Sequence, residues 1–413
     1  MTDAGHARLR AGSAWAFASV GVVLASGFLR TIVGARYLAP ADIGLIGIAL
    51  LALGFVEAVA STGVDTALVA STEDVETYLD PAFTIQVVRG FAVFGLLWAV
   101  APAIAWMYNE PGATAVIRAV AVTAALRGPT NPAVAIAVRR LDFRRVFWWS
   151  LPEVVCSLGL TFAVVLVRRD VWALVIGIVG GQAVGTIASY GLVPRMPRFT
   201  LHRQPLEKLL RFGRFVSGSR ALMYFSVNLD AAVVGYAAGV YTLGLYQFAT
   251  RIAQLPVVTF TRAAAQVALP ALSGTHENTD GLRRTWRTLL LWVFWVNVAA
   301  AIVILIAGEA AVEAVVGPQW LPALPLMRIL AFAMPFRAIL LLAGQLLDAR
   351  GHPELTMRLN AIRLAALIVV LPALAGWSGV QGVAQGVLLA NAGAAVLALR
   401  LSTRVLAAPR RIQ

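Results

Sequence analysis

The sequence predicts an all-α polytopic membrane protein with about twelve transmembrane helices in two six-helix bundles and both termini in the cytoplasm. Of the 413 residues, 60% are hydrophobic and only 13% are charged, whereas a soluble domain carries about a quarter charged residues. Solid apolar runs such as 171–194 and 288–308 contain no charged residue. A transmembrane β-barrel would show short alternating segments instead. The spanning elements are therefore expected to be helices.

Twelve apolar stretches are long enough to cross the hydrocarbon core of a bilayer. The uncharged run 364–399 is too long for one span, and the Gly-Trp-Ser-Gly sequence at 376–379 is expected to split it into a hairpin. In chain order the predicted spans are 12–35, 41–68, 81–108, 113–138, 146–167, 171–193, 213–237, 242–271, 286–308, 321–347, 355–375 and 379–401.

Arginine is distributed unevenly between the two sides of these spans. With the N-terminus inside, clustered arginines fall in the inner segments 139–145, 195–214, 283–287 and 404–411. The outer loops hold few basic residues. This asymmetry follows the positive-inside rule and predicts that both termini are cytoplasmic.

The segment 194–212 differs from the chain on both sides of it, because it holds three prolines and much of the clustered basic charge. We interpret it as an amphipathic cytoplasmic linker between an N-terminal bundle, 1–193, and a C-terminal bundle, 213–413. The halves resemble each other: VGARYLAPADIGLI at 33–46 matches VGYAAGVYTLGLY at 234–246 with one gap. Two repeats of six helices, running in the same direction, follow from this similarity.

One predicted span, 242–271, carries a polar stripe. At about 3.6 residues per turn, five polar side chains share one face. They are Gln247, Arg251, Gln254, Arg262 and Gln266. Two cations inside a bilayer are costly unless they face protein or a water-filled cavity, so this stripe is our candidate functional site. The alternative is that Arg262, near the cytoplasmic end, only extends its side chain to the interface.

The predicted span 41–68 carries charges of the opposite sign. Glu57, Ser61 and Asp65 are spaced four residues apart and share a face. Two interpretations stay open. The carboxylates neutralise Arg251 and Arg262 across the two halves, or the arginines hold an anionic substrate while a carboxylate binds a coupling proton. Glu57 and Asp65 are therefore coupling-ion candidates.

The predicted span 113–138 is interrupted near its middle. Arg127 is followed by Gly128, Pro129 and Pro132, and prolines remove backbone donors, so the helix must kink or break. Broken helices at this depth commonly line transport sites. A simple kink without a ligand is the alternative.

Motifs of soluble enzymes are absent from the sequence. There is no glycine-rich phosphate loop with a lysine and no HExxH motif, and the four histidines and the single Cys156 form no metal-ligand pattern. We expect no enzymatic activity, no cofactor and no metal site. The chain has a net charge of +14, and the basic residues that cause it lie at the ends of predicted membrane helices. Because this placement follows the positive-inside rule, the charge does not indicate a nucleic-acid partner.

With these features, the chain resembles the polysaccharide-export flippases of the multidrug/oligosaccharidyl-lipid/polysaccharide transporter superfamily, in the branch of lipopolysaccharide and exopolysaccharide exporters. The most specific part is NLD at 228–230 followed by LGLY. One departure is Tyr236, where related sequences often have a basic residue. The matching pieces are YLAPADIGLIGIALLALGF, RRLDFRR at 139–145, LLRFGRFVSGSRALMYFSVNLDAAVVG at 209–235, LGLYQFATRIAQLPV at 243–257, VALPALS at 267–273 and GPQWLPALPLMRILA at 317–331.

The resemblance implies a multi-pass protein of the bacterial cytoplasmic (inner) membrane, with a central cavity and alternating access. Its implied substrate is a polyprenyl pyrophosphate-linked oligosaccharide, a lipopolysaccharide or exopolysaccharide precursor moved from the inner to the outer leaflet. Arg251, with Arg262 and Arg127 as weaker candidates, would bind the head group, because arginine forms bidentate bonds to phosphate. The three glutamines of the stripe and Asp230 would meet sugar hydroxyls. Membrane lipids, a polysaccharide polymerase and glycosyltransferases are the implied partners.

Two other functions are compatible with parts of the sequence. A cation-coupled multidrug antiporter of the same superfamily would use a cavity lined by carboxylates. Glu57 and Asp65 are compatible with this function, whereas the cationic stripe argues against it. A membrane-embedded glycosyltransferase or polysaccharide polymerase would normally present a large outer loop. The longest predicted outer loop, near 308–321, is short.

Overall fold

The computed structural model describes residues 3–64, 68, 76–140, 142–192, 196–200, 203–261, 264 and 279–407, and this part of the chain contains no β-strand. Its helices are, in order, α1 (Asp3–Tyr37), α2 (Pro40–Val59), α3 (Glu76–Met107), α4 (Ala113–Arg127), α5 (Val134–Arg139), α6 (Phe143–Val167), α7 (Trp172–Leu192), α8 (Arg203–Pro256), α9 (Thr279–Val315), α10 (Leu324–Ala349) and α11 (Pro353–Ala407). A π-helical turn, Val257–Thr261, follows α8, and a 3-10 turn, Pro318–Ala323, precedes α10.

Eight helical segments of the described residues are long and apolar enough to cross a membrane. They are Pro40–Val59, Tyr78–Met107, Phe143–Val167, Trp172–Gly191, Arg220–Thr261, Gly281–Val315, Pro318–Ala349 and Pro353–Leu406. The predicted all-α polytopic fold is confirmed by these segments.

The two longest segments are each interrupted by a non-helical turn. In α8 the turn is at Gly239, with φ 79°, and in α11 it is at Ser378 and Gly379, where Gly379 has φ 60°. Glycine adopts positive φ at little cost, which explains the residue type at both turns. The two arms of α11 pack on each other, since a Cβ added at Gly382 would collide with the carbonyl oxygen of Leu374. The split predicted at 376–379 is therefore confirmed.

The chain forms two compact units, Met1–Tyr224 and Phe225–Gln413. In the first unit, α6 and α7 pack closely because Gly177, Gly181 and Gly185 occur at every fourth position of α7. A Cβ added at Gly181 would lie 2.6 Å from the Ser157 Cβ, and one at Gly185 would lie 2.6 Å from a Glu153 carboxylate oxygen. This spacing of small residues lets helix backbones approach each other within a membrane.

The boundary between the units falls inside α8, and therefore inside the predicted C-terminal bundle 213–413. The part of α8 that ends at Tyr224 belongs to the first unit, and it packs on α2 and the residues that follow it. Tyr224 Oη donates to the Leu51 carbonyl at 2.9 Å, and Arg220 Nη1 donates to Ser61 Oγ at 3.1 Å. The helix also begins at Arg203, within the predicted linker 194–212. The bundle and linker boundaries stay a prediction.

In the second unit, α10 and α11 form the main helix pair around a core that includes Trp320 and Phe248. Both aromatic side chains are buried, and their ring centroids are 4.5 Å apart. α10 is largely buried along its length, with core side chains from Leu326 to Leu347. Of the eight candidate spans in the described residues, the one that contains α10 is the most buried.

Candidate functional site

The break predicted after Arg127 is present in the first unit. α4 ends at Arg127, and α5 begins only at Val134. Backbone groups freed by such a break need partners inside a membrane, and three hydroxyl side chains of α7 supply them. Thr186 Oγ1 donates to the Leu126 carbonyl at 2.8 Å, Tyr190 Oη donates to the Pro129 carbonyl at 2.5 Å, and Ser189 Oγ accepts from the Asn131 amide at 3.0 Å.

Arg127 is held in place at this break by two side chains. Its Nη1 donates to both carboxylate oxygens of Glu57, each at 3.0 Å. Its Nε and Nη2 both donate to Gln182 Oε1 at 3.2 Å. The Arg127 side chain is 48% exposed and that of Glu57 is 24% exposed. A predicted substrate-binding cation and a predicted coupling carboxylate thus form one ion pair, and part of the guanidinium stays accessible.

Two further charges lie near this pair. Glu153 of α6 interacts electrostatically with Arg127 and with Arg30 of α1. Together with Glu57, they make a cluster of two carboxylates and two guanidiniums, which balance in charge. Sequence reasoning did not connect Glu153 to this site. The signal that could have done so is the repeat of glycines on α7, against which Glu153 packs.

The second unit contains its own buried polar cluster, around the predicted residue Asp230. Tyr246 Oη donates to Asp230 Oδ2 at 2.6 Å, and the two residues are 0% and 9% exposed respectively. Arg363, on α11, is also buried. Its Nε donates to Asn391 Oδ1 at 2.8 Å, and its Nη1 donates to the Ser226 carbonyl.

Arg337, on α10, completes this second cluster. It interacts electrostatically with Asp230 and with Arg363. Sequence reasoning selected Asp230 but did not assign Tyr246, Arg337 or Arg363 to the site, because each is a single residue without a periodic companion in its span.

The polar stripe of the span 242–271 is described in part. Gln247, Arg251 and Gln254 lie on the uninterrupted arm of α8 that follows Gly239, so their spacing places them on one helix face. Arg251 is exposed, and the two glutamines are half-buried. Arg262, Gln266 and the coupling-ion candidate Asp65 lie outside the described residues. The roles predicted for these six residues stay predictions.

Ionisable side chains held within the spans, around a broken helix, are typical of membrane transporters. The chain is a member of the polysaccharide biosynthesis protein family, whose sequence model matches residues 33–325. The predicted family is thereby confirmed.

Three relatives of named function support this membership. The chain is 23% identical over 303 residues to the teichuronic acid biosynthesis protein TuaB of Bacillus subtilis, covering 73% of this chain and 63% of TuaB. It is 20% identical over 384 residues to the lipopolysaccharide biosynthesis protein WzxC of Escherichia coli, covering 92% of this chain and 77% of WzxC. It is 26% identical over 316 residues to the succinoglycan biosynthesis transport protein ExoT of Rhizobium meliloti, covering 74% of this chain and 62% of ExoT.

Solved structures show the same fold. The lipid II flippase MurJ, in an inward closed conformation, superposes with a TM-score of 0.78 at 15% identity, covering 95% of this chain and 87% of MurJ. An inward-facing multidrug resistance transporter of the MATE family, in the MOP superfamily, gives a TM-score of 0.71 at 15% identity, covering 93% and 94% of the two chains. The protein is a multi-pass protein of the bacterial cytoplasmic membrane, with the fold that MurJ and the MATE transporter share.

Proposed function

We propose that this protein is a flippase that moves a polyprenyl pyrophosphate-linked oligosaccharide from the inner to the outer leaflet by alternating access. The observation that carries the proposal is Arg127, a half-exposed guanidinium at a helix break inside a family of polysaccharide biosynthesis proteins. TuaB and WzxC are named for the biosynthesis of teichuronic acid and of lipopolysaccharide, and ExoT is named for transport in succinoglycan biosynthesis. We expect no enzymatic activity, and we expect a polysaccharide polymerase and glycosyltransferases to act beside it on the same lipid-linked substrate.

The chemistry of the substrate explains why such a protein needs arginines. A pyrophosphate and sugar head group cannot cross hydrocarbon unaided, whereas the prenyl tail can stay in the lipid. Arginine binds phosphate through charge-assisted, bidentate hydrogen bonds. We assign head-group binding to Arg251, with Arg262 and Arg127 in support.

Sugar hydroxyls need acceptors and donors of moderate strength, which amides and carboxylates provide. We assign this role to Gln247, Gln254, Gln266 and Asp230. Within the described residues, Asp230 accepts a hydrogen bond at one carboxylate oxygen, from Tyr246. Its other oxygen is available as an acceptor for a hydroxyl.

The ion pair between Arg127 and Glu57 suggests how transport is coupled to an ion. While Arg127 occupies both oxygens of Glu57, a proton or cation has to compete with it for that carboxylate. A phosphate that binds Arg127 would release Glu57, so that substrate binding and ion binding favour each other through one residue. Asp65 is the second coupling candidate on the same predicted span.

The finer architecture in this proposal has twelve spans, with both termini cytoplasmic and two six-helix bundles, 1–193 and 213–413, joined by the linker 194–212. The turns at Gly239 and Gly379 support the count, because each divides an element too long for one span. The long helix Gly281–Val315 needs no such division, since its charged residues lie near its two ends and only the uncharged run 288–308 has to cross the hydrocarbon core.

Reconstitution into vesicles tests the function. We expect a labelled lipid-linked oligosaccharide to become accessible on the opposite leaflet, and Arg251→Ala to slow this at least about tenfold, since a charge-assisted contact is lost. Arg404→Ala, an exposed arginine at the end of α11, is the matched control and should flip at the wild-type rate. Equal rates for Arg251→Ala and the wild type at equal protein density would refute the assignment. Efflux of a cationic drug without lipid flipping would indicate the antiporter, and chain growth would indicate a polymerase.

A further inference from the structure

The buried cluster of the second unit has more positive than negative charge. Arg337 and Arg363 contribute two guanidiniums, and Asp230 contributes one carboxylate, which leaves a net charge of +1 in the cluster. Neither arginine forms an ion pair with Asp230, whose described hydrogen bond comes from Tyr246. Uncompensated charge within a membrane protein is costly, so the excess cation calls for a counterion.

Hydrogen-bond donors also outnumber acceptors in this cluster. Each guanidinium has five N–H donors, and the Asn391 amide has two. The acceptors are the Asp230 carboxylate, the Ser226 carbonyl and Asn391 Oδ1. Asn391 Nδ2 is a buried donor without an acceptor among the described residues. A ligand that supplies both negative charge and acceptor oxygens would correct the two deficits at once.

Arg337 is the least enclosed side chain of the cluster, half-buried where Asp230, Tyr246, Arg363 and Asn391 are buried. It donates no hydrogen bond to a described residue, and its nitrogens are not among the sealed, unsatisfied atoms of the described chain, unlike Asn391 Nδ2. Its guanidinium therefore keeps some accessible surface, while Arg363 is buried and held by Asn391 and Ser226.

The depth of Arg337 restricts the source of such a ligand. It lies 13 residues after the first residue of α10 (337 − 324) and 12 before the last (349 − 337). At about 1.5 Å per residue, each helix end is roughly 18–20 Å away, which is farther than an arginine side chain extends to the interface. The head group of a resting bilayer lipid stays at the interface, so the ligand has to be brought to this depth.

We propose that Arg337 anchors an anion site in the second unit that takes a phosphate group, with Arg363 and Asn391 supporting it. Arginine suits phosphate better than a spherical halide because its planar fork matches two oxygens. The assignment of this phosphate to the pyrophosphate of a transported lipid rests on the proposed function.

The test measures binding without transport, on the full-length protein in nanodiscs of phosphatidylcholine, with inorganic pyrophosphate as the probe in a calorimetric titration. We expect Arg337→Gln to weaken the affinity for pyrophosphate at least about tenfold, because a charge-assisted contact is lost. Arg337→Lys keeps the charge but loses the planar guanidinium, so its affinity for pyrophosphate should lie between those of the wild type and Arg337→Gln. Arg328→Gln is the matched control, since Arg328 lies on the same helix and pairs with Glu309 at 3.7 Å.

Each outcome decides a different point. Wild-type affinity in Arg337→Gln, or an equal loss in Arg328→Gln, would overturn the site. Repeating the titration in nanodiscs that contain phosphatidylglycerol distinguishes a transported ligand from a bilayer lipid. An unchanged affinity for pyrophosphate supports a transported ligand. Loss of pyrophosphate binding, because the anionic lipid already fills the site, would overturn the assignment to a transported ligand. Because no flipping is needed, pyrophosphate binding through Arg337 in a protein that fails the vesicle assay would refute the proposed function and leave the anion site standing.

Discussion

The ion pair between Arg127 and Glu57 should stabilise the first unit measurably, and a double-mutant cycle with Glu57→Gln, Arg127→Gln and the double variant isolates its contribution. Glutamine keeps most of the shape of each side chain while it removes the charge. Glu57→Gln alone leaves Arg127 as an unpaired cation within a membrane span, and Arg127→Gln alone leaves an unpaired carboxylate. The losses in the free energy of unfolding of the two single variants should therefore add up to more than the loss in the double variant.

The geometry sets the magnitude of this coupling. Nη1 of Arg127 contacts both Glu57 oxygens at 3.0 Å, and Gln182 fixes the other side of the guanidinium. Because Arg127 is 48% exposed, water screens the pair, and the value must stay well below that of a fully buried pair. Exposed pairs contribute about 0.2–1 kcal/mol, and polar contacts between membrane helices average about 0.6 kcal/mol. We expect a coupling free energy of about 1 kcal/mol, at the upper end because Nη1 contacts both carboxylate oxygens and Gln182 fixes the rest of the guanidinium.

The assay is equilibrium unfolding of the four proteins in detergent, followed by circular dichroism. The control cycle uses Arg328 and Glu309, whose single contact is 3.7 Å long with side chains 37% and 65% exposed. The coupling free energy of that pair should be less than about 0.3 kcal/mol, which is within the error to which independent substitutions add. A coupling for Arg127 and Glu57 no larger than that of the control pair would refute the argument from geometry.

Two further predictions concern packing and topology. Gly181→Ala should destabilise the first unit by about 1–3 kcal/mol in the same unfolding assay, because its Cβ would lie 2.6 Å from the Ser157 Cβ; Gly159→Ala, with no atom within 4 Å of the added Cβ, should be neutral or stabilising. An alkaline phosphatase fused at the Gly239 turn should be active and one fused after Leu406 inactive, since we place the turn outside and the C-terminus inside. Activity in the reverse order would contradict the topology.

Local sequence signals predicted the interruptions of the helices well. Pro129 and Pro132 lack the backbone N–H that a helix needs, and Gly128 is a poor helix former. The end of α4 at Arg127 was therefore predictable from the sequence alone. The turn at Gly379 was equally predictable, because an uncharged run of its length cannot cross a bilayer once. The unit boundary at Tyr224 was not predictable, since it depends on a ring packing against α2 at Gly54, far away in the chain.

The partners of the charged residues could not be read from the sequence for the same reason. Glu57 shares a helix face with Asp65, which suggested a common role, but its partner is Arg127, 70 residues later. Periodicity shows which face of a helix is polar and leaves open which helix lies opposite it.

The two clusters differ in a way that bears on mechanism. In the first unit, Glu57 and Glu153 balance Arg30 and Arg127, so charge is neutral until a ligand exchanges one partner for another. In the second unit, Arg337 has no such balance, so a ligand adds to the cluster without displacing a group. An exchange of partners suits coupling to an ion, because one binding event releases the group that another needs. A standing excess of positive charge suits capture of an anion. On this reasoning the first unit carries the coupling and the second adds a phosphate contact. Variants of Glu57 should therefore change how substrate affinity depends on the ion, whereas variants of Arg337 should weaken substrate affinity at every ion concentration.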